Sequence, residues 1–291
     1  MNLPSFVFAL LAAASAAAVA GEVEVAAALR AKGGEITETK GEVSGLAFKN
    51  VSSLTAADYA LIHQLPQLKS LNFGIGCDDA ALKALAGLPA LEMLSTNGMS
   101  ASDEGVSSLA GIKTLRSIAF FHPGKAFSGR GLAALVGLSK LERLTVAGST
   151  EFGDEGMSAV AKLTQLKEFR TWHNGVTVEG VKPLRALQDL KSLTLGQRLA
   201  NSPPPGVSDE TLAALAEINS LETISLQEAR LSLKALSALT ALPKLKKLTL
   251  DGIEIPEAEV AALRQQLPRA QVLWTAPNEA AKKRIQSLFG L

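Results

Sequence analysis

A chain of 291 residues with 47% hydrophobic side chains can bury one large core or two small ones, and it is too apolar for wholesale disorder. Twenty-nine Lys and Arg against 28 Asp and Glu leave a net charge of +1, without the basic excess that marks a nucleic-acid binder. The single cysteine, Cys77, excludes an intrachain disulfide framework and a cysteine-rich zinc site.

Residues 6–20 are an unbroken run of apolar and small side chains. Fifteen residues are few for a membrane-spanning helix, but the length suits a signal-peptide core. Ala18-Val19-Ala20 ahead of Gly21 is an A-x-A cleavage site. The expectation is a signal peptide over 1–20, cleavage after Ala20, no integral membrane segment thereafter, and a secreted or periplasmic protein. Val25 and Leu29, then Gly33-Gly34-Glu35-Ile36, open the remaining chain as a short leading unit over 21–42.

A pattern L-x-x-L-x-L then recurs across 43–266. Full copies are Leu68/Leu71/Phe73, Leu91/Leu94/Thr96, Leu115/Ile118/Phe120, Leu141/Leu144/Val146, Leu166/Phe169/Thr171, Leu190/Leu193/Leu195, Leu221/Ile224/Leu226 and Leu245/Leu248/Leu250. Degenerate copies, Val43/Leu46/Phe48 and Ala270/Leu273/Thr275, flank them, which predicts ten strands. A second column marks helix starts: Thr55, Cys77, Ser102, Ser128, Gly153, Thr177, Ser208, Ser232 and Pro256. A Ser or Thr hydroxyl there accepts from an unpaired N–H of the first helical turn, and the Asp and Glu that follow suit the positive end of the helix dipole. From helix start to next strand the spacing is 13 or 14 residues, whereas from strand to helix start it runs from 9 to 18. Length variation therefore sits just past each strand, where loops on a rigid scaffold carry binding.

The repeat resembles the leucine-rich repeat family over roughly residues 43–275. Leu-x-x-Leu-x-Leu followed by Ser-Asp-Glu-Gly and an apolar helix is similar to the cysteine-containing type, and closer still to secreted repeat proteins of planctomycete-like bacteria. The family's Asn/Cys position is not maintained here. The resemblance implies an α/β fold: a leucine-rich-repeat solenoid, or horseshoe, with a concave parallel β-sheet and convex short helices. It also implies a C-terminal cap and tail helix over 267–291, beginning at Leu267-Pro268. One repeat cannot bury its own apolar face, so the repeats are expected to stack and share a core.

Alternation along each strand puts the pattern residues inward and the intervening ones on the concave face. Most of those are small or hydroxylated. The exception is Phe121-His122 and Trp172-His173, at equivalent strand ends two strands apart, with Ala147-Gly148 between. Arg170 and Glu168 lie beside Trp172, and Arg143 is one strand away. These seven, Phe121, His122, Arg143, Glu168, Arg170, Trp172 and His173, form the candidate binding site. Aromatic and Arg side chains dominate interface hot spots, so a protein partner is expected and Trp172 is its anchor. A glycan or small ligand stacked on Phe121 and Trp172 is the alternative. Two ring arrangements remain open: closure over Ala147 as a surface cluster, or two anchors roughly 10 Å apart over a small-residue floor.

The two histidines have no third metal ligand in view, and no strained Ser elbow or Gly-rich anion loop is recognisable, so neither a metal, a cofactor nor catalysis is expected. Gln197–Gly206, with three consecutive prolines, is the longest loop and is expected to be stiff. Ile285, Leu288 and Phe289 share one face of a short tail helix that follows Lys282-Lys283-Arg284. It is expected to dock on the last repeat, to fray, or to lie on a membrane surface.

Overall fold

A computed structural model describes residues 21–200 and 203–291. The signal-peptide expectation lies outside the described residues.

Residues 21–31 form a first helix, α1, that buries Val25, Ala26 and Leu29. Two strands follow, β1 (Gly34–Thr39) and β2 (Glu42–Asn50), paired antiparallel through a two-residue turn. Lys40 and Gly41 both take positive φ, 56° and 82°, as a hairpin turn matched to strand twist requires. The sequence pattern missed β1 as a strand, since its residues carry no L-x-x-L-x-L spacing.

From β2 onward every pairing is parallel. The strands are β3 (Ser70–Ile75), β4 (Met93–Asn97), β5 (Ser117–Phe121), β6 (Arg143–Ser149) and β7 (Glu168–Asn174). They continue as β8 (Ser192–Leu195), β9 (Thr223–Gln227), β10 (Lys247–Asp251) and β11 (Gln271–Thr275). All eleven form one sheet in sequence order, the arrangement of a repeat that only ever meets its neighbours. Pattern residues stack in register: Leu144 on Phe169, Phe169 on Leu193, Leu193 on Ile224 and Ile224 on Leu248, each at most 1% exposed.

One expected register is wrong. On β11 the inward residues are Val272 and Trp274, which pair with Leu248 and Leu250, while Leu273 is 39% exposed. A slip of one residue exchanges the faces of a strand, and the degenerate Ala270/Leu273/Thr275 copy carried that slip.

Short helices cover the other face: α2 (Ala56–Ile62), α3 (Asp79–Lys83), α4 (Asp103–Ser107), α5 (Asp154–Val160) and α6 (Val178–Val181). Then come α7 (Asp209–Leu215), α8 (Leu233–Leu236) and α9 (Glu257–Gln266), with the tail helix α10 (Glu279–Phe289) last. Seven of the nine expected helix starts are caps; the other two shift by one residue. Asp78 caps α3 in place of Cys77, which is fully buried, and burial pushes its thiol up to about 12. The segment after Ser128 is a 3-10 turn, Arg130–Gly137, entered through Gly129 at φ 90°.

The acidic residues after the caps do more than meet a helix dipole. Asp79 accepts from the N–H and hydroxyl of Ser102, one repeat on, at 2.6 and 2.8 Å. Asp154 holds Thr177 the same way at 2.8 and 2.7 Å, and Asp209 holds Ser232 at 2.9 and 2.7 Å. Asp103 takes four donors: Ser128 N and Oγ, Gly129 N and Gly131 N, at 2.6–3.2 Å. This link also explains the glycine of Ser-Asp-Glu-Gly. A Cβ on Gly105 would lie 2.2 Å from Asp79 Oδ1, and one on Gly180 would lie 2.3 Å from Asp154 Oδ1.

Candidate functional site

The open face of the sheet carries the expected outward residues. Between β5 and β7, Phe121, Ala147 and Trp172 stand in register at the strand ends. The two rings do not stay a strand pair apart. They lean together over Ala147, with centroids 6.3 Å apart and planes tilted by 56°, leaving Ala147 only 3% exposed. That is direct ring–ring contact, so the small-residue floor between two separate anchors is not open. Arg170 sits two residues back on the same face, its guanidinium carbon 5.4 Å from the Trp172 ring centroid, a cation–π contact. On the far side Trp172 packs so closely on β8's extension that a Cβ on Gly196 would lie 2.3 Å from Trp172 Cβ. Phe121, Trp172 and Arg170 thus form one half-exposed cluster.

Arg143 and Glu168 start their strands in register with each other, at the opposite end of the face from the rings. They flank the cluster rather than join it.

The histidines follow from backbone geometry at the strand ends. His122 and His173 take positive φ, 48° and 51°, and so does Glu228 at 54°, just past β9. Glycines fill the corresponding place at Gly98, Gly148 and Gly252. This left-handed residue turns its N–H onto the next strand: His122 to Ala147 O at 2.8 Å, His173 to Gln197 O at 2.9 Å, and Glu228 to Asp251 O at 2.9 Å. Side chains other than glycine are strained there, roughly 1–2 kcal/mol each, so the three that occur are held by what they touch. His122 lies across Gly148, where a Cβ would come within 2.5 Å of the ring, and its Nδ1 is 3.0 Å from Asn97 Oδ1.

His173 turns the other way, toward α10. The Arg284 guanidinium pairs with the Glu228 carboxylate and donates to the Arg198 carbonyl. His173 Nε2 lies 3.5 Å from both Glu228 Oε2 and Arg284 Nη1. The His173 hydrogen bond, with Arg284 beside it, holds the Glu228 carboxyl below its ordinary range against the opposing effect of burial. The two histidines therefore belong to different neighbourhoods. Among the described residues no group of three or more His, Cys, Asp or Glu lies close enough to hold a metal ion.

Arg284 and Glu228 were not expected at this site. The tail helix neither frays nor stops at the last repeat. It runs back along the strand ends from β11 as far as His173, burying Ile285 and Leu288 completely. The proline-rich loop meets it there. Gln197, fully buried, accepts from Gly206 N at 2.6 Å and donates to Val207 O at 3.1 Å, so it closes the loop at its base. The sequence signal for this latch was the strand-end column itself, in which Glu228 follows β9 as His173 follows Trp172.

No protein-family model matches the chain, and a search of curated proteins returns no match. Among the described residues no helix is long and apolar enough to cross a membrane.

Proposed function

We propose that this chain is a secreted or periplasmic leucine-rich-repeat protein that binds another protein through the open face of its sheet and the strand-end rim, without catalysing a reaction. The observation that carries the reading is the Arg170–Trp172–Phe121 cluster. It is a large cationic and aromatic patch on a face made mostly of small and hydroxylated side chains. Such residues supply most of the free energy in protein interfaces. The rings touch, which argues for a flat, convex anchor seated in a partner's pocket. It leaves no gap for a sugar between them, so the alternative, a glycan stacked on Phe121 and Trp172, would use their outer faces.

Trp172→Ala tests this. A partner captured from the native envelope fraction should lose roughly 2 kcal/mol of affinity, about thirtyfold, by calorimetry. Thermal unfolding should shift by only about 1 kcal/mol, the scale of one aromatic pair. Unchanged affinity with a large fall in unfolding midpoint would show that the indole only packs. Titration of soluble glycans against Trp172 fluorescence separates the sugar reading: saturable quenching by a glycan, with no protein captured, would replace the proposal.

A further inference from the structure

Where α10 folds back it helps to wall a groove of about 1010 Å³ on the strand-end rim, on the side away from the Trp172 cluster. Its apolar surfaces are Pro204 and Pro205 of the long loop, Pro256 at the start of α9, Trp274, Pro277 and Phe289. The Trp274 indole N–H is already satisfied by Ile253 O at 2.9 Å, so its ring offers an apolar wall. From Thr177 after β7 to Trp274 on β11 the groove crosses four strand steps, roughly 19 Å, the length of about six extended residues.

Charge selects the occupant. Five carboxylates line the groove, Glu179, Asp209, Glu210, Glu254 and Glu259, against two cations, Arg230 and Lys282. Five against two makes the lining acidic in a chain whose net charge is +1. Three of the five are engaged inside the fold: Asp209 holds Ser232, Glu259 accepts from Leu233 N at 3.0 Å, and Glu179 pairs with Lys182 at its own helix. Glu254 is different. One of its oxygens faces Arg230 at 3.3 Å, while Oε2 is shielded from solvent with no hydrogen-bond partner among the described residues. A shielded carboxylate oxygen without a donor is costly, and turning the Glu254 carboxylate, whose side chain is 28% exposed, toward a cationic donor in the groove would satisfy it.

We propose that this groove is a second binding site, which takes an extended apolar segment of a partner protein through a Lys or Arg side chain seated on Glu254. Trp172, Phe121 and Arg170 do not line it, so it is separable from the site on the sheet face.

The probes are end-blocked peptides of about six residues, matching the groove length. They are built from Leu, Val and Pro around one central Lys, norleucine or Glu. Binding is read from Trp274 fluorescence in a Trp172→Phe background, which leaves one indole. The Lys peptides should bind at least about tenfold tighter than the norleucine ones, with the Glu peptides weakest, and Glu254→Gln should erase that preference. Should Glu254→Gln fail to fold, Glu254→Asp, which withdraws the carboxylate by one methylene, should reduce the preference, and an unchanged one would overturn the proposal. So would equal binding of the three peptide types, or no binding at millimolar concentration. Saturation by an uncharged detergent such as decyl maltoside as tightly as by the Lys peptides would also overturn it, since the groove would then be a nonspecific apolar surface.

Discussion

Glu228 shows how much one side chain can be asked to do. It occupies a left-handed backbone position that three other repeats fill with glycine, and its carboxylate ties α10 to His173 and Arg284. Because the folded state holds this carboxyl below its ordinary value of 4.5, its contribution to docking the helix is fully present above that value. It is lost as the pH falls through the lower, folded-state value. The protection of the α10 amides, corrected for the intrinsic pH dependence of exchange, should accordingly fall on acidification below about pH 4.5, ahead of the strands. In Glu228→Gln that acid step should vanish, with weaker protection already at neutral pH. An acid step that survived the substitution would belong to another titrating group, and unchanged protection at neutral pH would assign the docking to Ile285 and Leu288 alone.

At the scale of the element, the helices are too short to stand by themselves. Several have only four or five residues, well below what is stable in isolation. Their ends are held by the repeat before. Asp103 is the strongest case, since removing its carboxylate strands the N–H groups of Ser128, Gly129 and Gly131, the two glycines fully within the fold. Asp103→Ala should cost about 3 kcal/mol in chemical denaturation, and Asp103→Asn, which keeps one acceptor, about half of that. Equal and small losses would mean that water replaces the carboxylate. The strands were legible in the sequence because inward leucines at fixed spacing leave little choice of register. The carboxylate links were not, because their partners lie 23–28 residues away and the local reading, a charge at a helix start, already accounts for an Asp there. The cap of α3 was misplaced for a related reason. Cys77 looks like a small polar residue in the capping column, but moving the cap to Asp78 gives α3 an apolar residue before its cap, and Cys77 joins the inward row with Ala101, Phe127 and Phe152.

Across the whole molecule the sheet is continuous, so a fault in the middle is felt on both sides. Leu193 is buried between Phe169 and Ile224. Leu193→Asp should cost about 4 kcal/mol or more and lower the midpoint of a thermal scan sharply, because an unpaired carboxylate enters a core shared by both neighbours. A melt like that of the wild type would remove the inward assignment of this column. The candidate site was legible to a more limited degree. Alternation placed Phe121, Arg170 and Trp172 on one face, and they meet there. It could not show that the rings would close on each other, or that His173 would turn from the cluster to a helix more than 100 residues later, at a separation of 111. Nor did it show that Thr194, an outward position beside Arg170, would be only 9% exposed. Each depends on contacts between segments that no periodicity relates.

The Asp-to-cap links do not run unbroken along the array. They join Asp79 to Ser102 and Asp103 to Ser128, then Asp154 to Thr177, then Asp209 to Ser232. Among the described residues no Asp bonds the next cap between Ser128 and Gly153, where that cap has no side chain, or between Thr177 and Ser208, where the chain detours through its longest loop. Between α3 and α8 the array is therefore built as blocks with two seams, and each seam is mended differently. At the first, Phe127 and Phe152 stack face to face, with ring centroids 6.1 Å apart and planes within 4°. At the second, α10 lies across the joint and fastens residues on either side of it, His173 before and Glu228 after. In a chain whose stability is a sum of neighbour-to-neighbour terms, these seams are where it should part first under mechanical load. The tail helix then acts as a splint: pulled from its C-terminus, the molecule would lose that brace before it lost any repeat.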